Sequence, residues 1–568
     1  MNSIGLLRFA RRLPVSIGSQ TPQHLFSNPN KGGRMRKVCI LLLLVSVLFG
    51  FGSSEALAAR SGGTLNFMAP YGGDLFGLDP HKSTRVQDFL VSMNVFRSLY
   101  RWDSEKNMPV LELAESVKIS DDSLVYTFKL RPNVKFHNGR KMTAEDIIWS
   151  YNRIASMKPS SPNVMYIRDI KGVQDVENGK ADKIAGLKKI DDLTLEMTLE
   201  NPVDIKHALQ QPGTSIVPRE EVEKLGDKFS SEPVGCGPFK LVKWIKGSEV
   251  IIEKFADFYM EGRPYLDKVS YKIMTEAAAR DLAFKAKDLD GSIVEGVNYP
   301  EYLADPVVSK NMLEVVELFT RHIGFNQKVK PLSDKRVRQA INYAIPADLI
   351  IKKLMKDKAY PCQGWLPTPL WGEGPKPIKY EYNPEKAMQL MKEAGYEKGF
   401  TVEAIGTANS SWGTVVYEAI LPYLKKLNIE LKIQQMEGAA MAEKNRTGDF
   451  QMYIWSVGSP TDPLKAMERW KSNNPQAAGN YIAYNNPEYD KILDQAAKER
   501  DSKKKMELVM KANAIFAEDA PVWFFNYNKA VMAHQPWVHG LQAVAIEMMY
   551  QDMTNVWVDE KSPRANVK

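Results

Sequence analysis

Two periods of apolar residues run along this chain. Strict alternation marks strands: residues 123–130, S-L-V-Y-T-F-K-L, put every second side chain on one face, and 193–199 repeat the pattern. Shorter β-type runs are predicted at 62–68, 240–244, 249–254, 271–274, 313–318, 401–405, 429–433 and 521–527, with Gly247-Ser248 as the turn between two of them. Helical spacing appears in 89–99 (Leu90, Met93, Val95, Phe96, Leu99), after Thr143 (Ile147, Ile148, Tyr151, Ile154), at 277–286 and at 506–516. Local chemistry marks several helix starts. Thr143-Ala144-Glu145-Asp146 resembles a capping box, Ser333 stands ahead of the stripe Val337, Ala340, Ile341, Ala344, and Asn383-Pro384-Glu385 and Asn486-Pro487-Glu488 place asparagine at the N-cap with proline behind it. Gly395 is the expected C-terminal cap of the helix from Asn383. The strand–helix alternation from about residue 318 onward predicts a sheet covered by helices.

One stretch stands apart. Residues 449–463 read D-F-Q-M-Y-I-W-S-V-G-S-P-T-D-P. The first half is a strand of aromatic and branched residues. The second half is turn chemistry, with two prolines removing backbone donors. A strand ending in a polar loop beside a tryptophan can hold a ligand; it can equally be a buried strand followed by an ordinary loop.

Composition narrows the class. With 568 residues the chain exceeds one ordinary core, and its 44% hydrophobic and 25% charged residues are those of a globular protein. The formal charge of +8 is concentrated at the start: residues 1–58 hold seven basic residues and one acid, leaving 69 basic against 67 acidic in the rest. A balanced body excludes a polyanion-binding reading. Met35-Arg36-Lys37, an apolar run at 38–50 and Ala56-Leu57-Ala58 form a secretory signal peptide, with Met35 as the expected start, cleavage after Ala58 and export in soluble form. Cys39 opens the apolar run, so it is not placed as a lipid-anchor cysteine. Cys236 and Cys362 remain, and whether they pair stays open.

Catalytic signatures are missing. No two of the seven histidines stand at metal-ligand spacing, and there is neither a nucleophile elbow nor a phosphate-binding glycine loop. Neither cofactor nor metal is expected. The acidic pairs Asp121-Asp122 and Asp191-Asp192 lie in predicted turns. Trp365, Trp371, Trp412 and Trp455 sit in or beside predicted loops and as a group fit an extended ligand pocket.

An ordered set of motifs then points to a family. G-L-D-P-H-K (77–82), F-H-N-G (136–139), T-A-E-D-I-I-W-S-Y (143–151), P-V-G-C-G-P-F (233–239), I-G-F-N-Q (323–327) and D-K-R-V-R-Q-A-I (334–341) resemble the extracellular solute-binding proteins of peptide-type ABC importers, family 5. The resemblance implies an α/β fold: a two-lobed periplasmic-binding-protein clamp of type II, cluster C-like, with an extra inserted domain. It implies lobe I at 59–105, 190–317 and 528–568, the inserted domain at 106–189, and lobe II at 318–527. It also implies a monomer that binds no nucleic acid and delivers a peptide or peptide-like solute to an inner-membrane permease. The ligand would add as a strand between Thr84-Arg85-Val86 and the end of the strand near Trp455 and Ser456. The acid that anchors a peptide's amino group in the family is replaced by Ser459, and Asp462 holds a different position ahead of Pro463. The loop with Asn409, Ser411 and Trp412, which supplies charged partners in some members, is uncharged. These departures keep an oligosaccharide, opine or metal-chelate/haem ligand open as alternatives, and a secreted hydrolase as the rival from another class.

Overall fold

The structure, a computed structural model, describes residues 59–69, 74–407, 413–476 and 479–567. Strand β1 (Thr64–Ala69) leads to the helix Val86–Val95, then to the hairpin β2 (Tyr100–Asp103) and β3 (Met108–Leu111). Strands β4 (Ala114–Ile119), β5 (Val125–Leu130), β6 (Leu187–Asp191) and β7 (Thr194–Thr198) form a separate antiparallel sheet in the order β4-β5-β7-β6. The helix Ala144–Ser156 packs beside it, started by the expected capping box between Thr143 and Asp146.

The remaining long strands join one sheet. They are β8 (Phe239–Ile245), β9 (Glu249–Lys254), β10 (Lys268–Ile273), β11 (Gly291–Ile293), β12 (Met312–Phe325), β13 (Ala359–Pro361), β14 (Phe400–Gly406), β15 (Ile429–Gln435), β16 (Met452–Gly458) and β17 (Val522–His534). Their order is β15-β14-β16-β12-β17-β11-β1-β10-β9-β8, with β13 also on β17. Among the described residues, only β12 and β17 run through both halves of this order. Their pairing is interrupted between Val316↔Lys529 and Thr320↔Tyr527, where Glu317, Leu318 and Phe319 oppose Asn528 alone.

Burial follows that division. One core packs β1, β9, β10 and the far end of β17 around Phe67, Tyr271 and Met532, and a second fills the four-stranded sheet around Phe128 and Tyr151. Two more lie on opposite faces of β14, β16 and β12: Tyr453, Trp365 and Phe516 on one side, Ile454, Ile323 and Phe525 on the other. A sheet buried on both faces reads as continuous apolar sequence, as in I-W-S-V and W-F-F-N-Y.

Several elements differ from the sequence pattern. The first helix ends at Val95 instead of Leu99, because the Val95 carbonyl accepts from Gly237 N at 2.8 Å and Phe96 turns extended. β12 continues well past the predicted 313–318; the polar Arg321-His322 breaks the apolar pattern, yet both residues are inside. Asp334, not Ser333, caps the helix Lys335–Ala344 by accepting from Arg336 N. Asn383 and Asn486 cap their helices as expected, and Gly395 follows the first with φ +81°. Cys236 and Cys362 are both free and buried, in different cores.

The motif residues pin separate segments together. Asp79 accepts from both Arg153 Nη atoms (2.5 and 3.0 Å), Arg153 also donates to His81 Nδ1 at 2.7 Å, and His81 Nε2 donates to Ser215 O at 2.8 Å. His137 accepts from Gly235 N and donates to Gly237 O. A Cβ on Gly235 would stand 2.1 Å from the Val95 carbonyl, so this approach of backbones requires glycine.

Candidate functional site

The site is built where β16 leaves the sheet. β16 pairs with β12 along its length, from Phe325↔Met452 to Phe319↔Gly458. On its other edge β14 reaches only Met452 and Tyr453. Beyond Tyr453, no strand of the described residues covers that edge, so the backbone of Ile454–Gly458 offers alternate N–H and C=O groups outward. Trp455 and Ser456 there are half-buried and Gly458 is exposed.

The interruption of β12 lies beside this edge. Leu318 N donates to Ala545 O at 2.9 Å, and Ser459 N donates to Leu318 O at 2.6 Å. Glu317 is buried and accepts from Met548 N at 3.0 Å and from Asn528 Nδ2. Burial raises its carboxyl above the usual carboxylate range. Glu317, Arg321, Asn528, Lys358, Leu282 and Val297 are among the residues lining a cavity of about 930 Å³. Burial pushes the Arg321 guanidinium down to about 10 and lowers the Lys358 ammonium. Arg321 is the register partner of Ser456, and directly opposed residues of an antiparallel pair share a face. Arg321 of the cavity lining therefore stands on the same face of the sheet as Ser456.

Thr84 is exposed, and Arg85 is extended (φ −90°, ψ 139°) at the start of the helix Val86–Val95. The Arg85 guanidinium lies 3.7 Å from the Phe76 ring centre and donates to Asp74 O at 3.2 Å; its backbone N donates to Ser83 Oγ at 3.1 Å. Thr84-Arg85-Val86 makes no direct hydrogen bond or ion pair with Ser456, Ser459 or Asp462 among the described residues. Asp462 caps the helix Pro463–Glu468, accepting from Leu464 N at 2.9 Å. Beside it Thr461 Oγ1 lies 3.1 Å from His207 Nδ1. Burial raises the Asp462 carboxyl and lowers His207. The Ser459 hydroxyl is buried and has no hydrogen-bond partner among the described residues. Asn409, Ser411 and Trp412 lie outside the described residues.

The tryptophans separate. Trp365 is 1% exposed and packs edge-on against Trp470, ring centres 4.7 Å apart, and against His322. Trp371 donates to Leu366 O at 2.7 Å. Both are packing residues, which corrects the grouping of these two with a ligand pocket. Glu317, Arg321, Lys358 and Asn528 were not legible as site residues. The one available signal was the polar pair Arg321-His322 inside an otherwise apolar run. Among the described residues no group of three or more His, Cys, Asp or Glu is placed to hold a metal, and no helix is long and apolar enough to cross a membrane.

The family model of bacterial extracellular solute-binding proteins, family 5 Middle, matches residues 108–518. The chain belongs to that family. Among its relatives, the glutathione-binding protein GsiB of Shigella dysenteriae is 26% identical over 516 residues, spanning 87% of this chain and 94% of GsiB. The unliganded open form of the periplasmic murein tripeptide binding protein MppA superposes with a TM-score of 0.77 at 23% identity, covering 88% of this chain and 98% of MppA. The DppA periplasmic binding protein of Helicobacter pylori in complex with the peptide STSA gives 0.68 at 25%, covering 88% and 99%. This solute-binding protein thus has the two-domain fold expected from its motifs.

Proposed function

We propose that this chain is the periplasmic receptor of an ABC importer, capturing a peptide or peptide-like polar solute between two lobes and passing it to the inner-membrane permease. The uncovered edge of β16 beyond Tyr453 carries this reading, since an extended peptide can complete its backbone hydrogen bonds as an added strand. The lobes are 59–105 with about 200–317 and 528–568, and 318–527; the inserted domain, expected at 106–189, extends through β7 to Thr198, because β7 pairs with β5 and completes its four-stranded sheet. Closure takes place about the interrupted stretch of β12 and β17, where Glu317–Phe319 oppose Asn528. The better superposition on open MppA (0.77) than on peptide-bound DppA (0.68) accords with an open arrangement. The names of its relatives, glutathione- and murein tripeptide-binding, favour a short peptide-like ligand. The protein acts as a monomer and performs no chemistry on its ligand.

Short peptides and glycans incubated with the pure protein test this. Stoichiometric thermal stabilisation by a peptide, with the peptide recovered intact, is expected; turnover of any of them contradicts it. Trp455→Ala weakens peptide binding at least tenfold with melting temperature retained, and unchanged affinity removes Trp455 from the site.

A further inference from the structure

The cavity at the crossing of β12 and β17 has one feature that a general peptide site does not require. Its acids already have partners. Glu295 accepts from Arg280 Nη2 at 2.9 Å, Asp281 is bound by Lys285 Nζ at 2.9 Å and Tyr302 Oη at 2.8 Å, and Glu317 is held by Met548 N and Asn528. Lys358 also lines the cavity, yet its ammonium makes no hydrogen bond or ion pair among the described residues. Lys358 is half-buried and feels the carboxylates of Glu295 and Glu317 only through space, without a hydrogen bond to either, so a ligand anion in direct contact would satisfy its ammonium further.

The backbone fixes where Lys358 stands. Lys356 and Asp357 both have positive φ, 51° and 63°, and Lys358 N donates to Met355 O at 2.9 Å. This tight turn joins the helix Ala347–Met355 to β13 and sets Lys358 against Gly296, whose added Cβ would lie 3.9 Å from Lys358 Cδ. Two apolar residues of the lining are open to solvent: Leu282 is 68% and Val297 82% exposed. Arg321 adds a second cation on the floor, in register with Ser456 of the uncovered edge.

We infer that Lys358, seconded by Arg321, receives a side-chain carboxylate of the bound solute, beyond the C-terminal carboxylate that any peptide carries, so that the ligand class is an acidic peptide-like molecule with an apolar part for Leu282 and Val297. The inference rests on the receptor reading above and deepens it. Lys358 is a specificity-determining residue: the added strand on β16 gives affinity to any peptide, and the ammonium selects among them.

Calorimetric titration with Ala-Ala-Ala, Ala-Glu-Ala and Ala-Lys-Ala tests it on the mature protein and on Lys358→Met and Lys358→Arg. The wild type binds Ala-Glu-Ala at least tenfold more tightly than Ala-Ala-Ala, Lys358→Met erases the difference, and Lys358→Arg restores most of it. Equal affinity of the wild type for acidic and neutral peptides, or a preference that survives in Lys358→Met, overturns the selectivity and leaves the receptor reading standing. Failure of all three peptides to bind overturns both.

Discussion

Glu112 shows what a single side chain carries here. It is 1% exposed, lies 3.1 Å from Arg97 Nε and 3.0 Å from Arg101 Nε, and accepts from the Tyr259 hydroxyl. Arg97 in turn donates to Asp552 at 2.8 Å, so the cluster ties the start of the β2–β3 hairpin to the C-terminal segment. Glu112→Ala leaves the buried Arg97 with one carboxylate partner fewer, which costs about 3–5 kcal/mol. An unfolding free energy lowered by that amount in chemical denaturation is expected; an unchanged value would show that Asp552 alone satisfies Arg97. No local pattern announces this cluster, because its members stand far apart in sequence. Lys358 was hidden for a related reason. A lysine after a short turn is common, and only the cavity around it makes its lack of a partner informative.

At the scale of elements, the motifs that identify the family proved to be fasteners more than ligand contacts. G-L-D-P-H binds Arg153 and Ser215 through Asp79 and His81, F-H-N-G grips the 235–237 backbone, and I-G-F-N-Q lets Tyr453 approach β12. A Cβ on Gly324 would stand 2.0 Å from the Tyr453 ring, whose hydroxyl lies 2.9 Å from His322 Nε2. Gly324→Ala therefore forces β12 and β16 apart beside the proposed site. A loss of about 1–3 kcal/mol is expected, together with weaker peptide binding; native stability in calorimetry would contradict that packing. The strands and helices with clean periods, β5, β7 and the helices after Asn383 and Asn486, were legible because one face meets solvent. β12 was not, since burial on both faces and inward polar residues erase the alternation.

Across the whole molecule, buried histidines set the response to acid. Burial pushes His81 and His137 down to about 4 and His322 to about 3, and it lowers His207 and His534 as well. In the unfolded chain a histidine titrates near ~6.5. Between that pH and the folded values the unfolded state binds protons that the folded state refuses, so stability is full above about pH 6.5 and falls by about 1.4 kcal/mol per pH unit for each such histidine below it. Glu317 and Asp462, raised by burial, act in the opposite sense. With five groups against two, the melting temperature at pH 5 falls below that at pH 7.5; an equal or higher value contradicts the burial of these imidazoles.

The division into lobes is also a property of the whole chain. The sequence pattern placed the change of unit near 318 and again near 528 through resemblance to a family. The register shows β12 and β17 losing their pairing at Glu317–Phe319 and Asn528. What no pattern of single residues contains is the edge of β16 that no strand of the described residues covers, where β14 ends at Gly406 while β16 runs on to Gly458.

That edge makes the central claim, capture of an intact peptide-like solute, directly measurable by native mass spectrometry of protein isolated from the periplasm. One bound peptide-like molecule per chain is expected, released unchanged on unfolding and lost from Trp455→Ala. A chain that never carries such a mass, even after incubation with peptides, or that returns them cleaved, would contradict it.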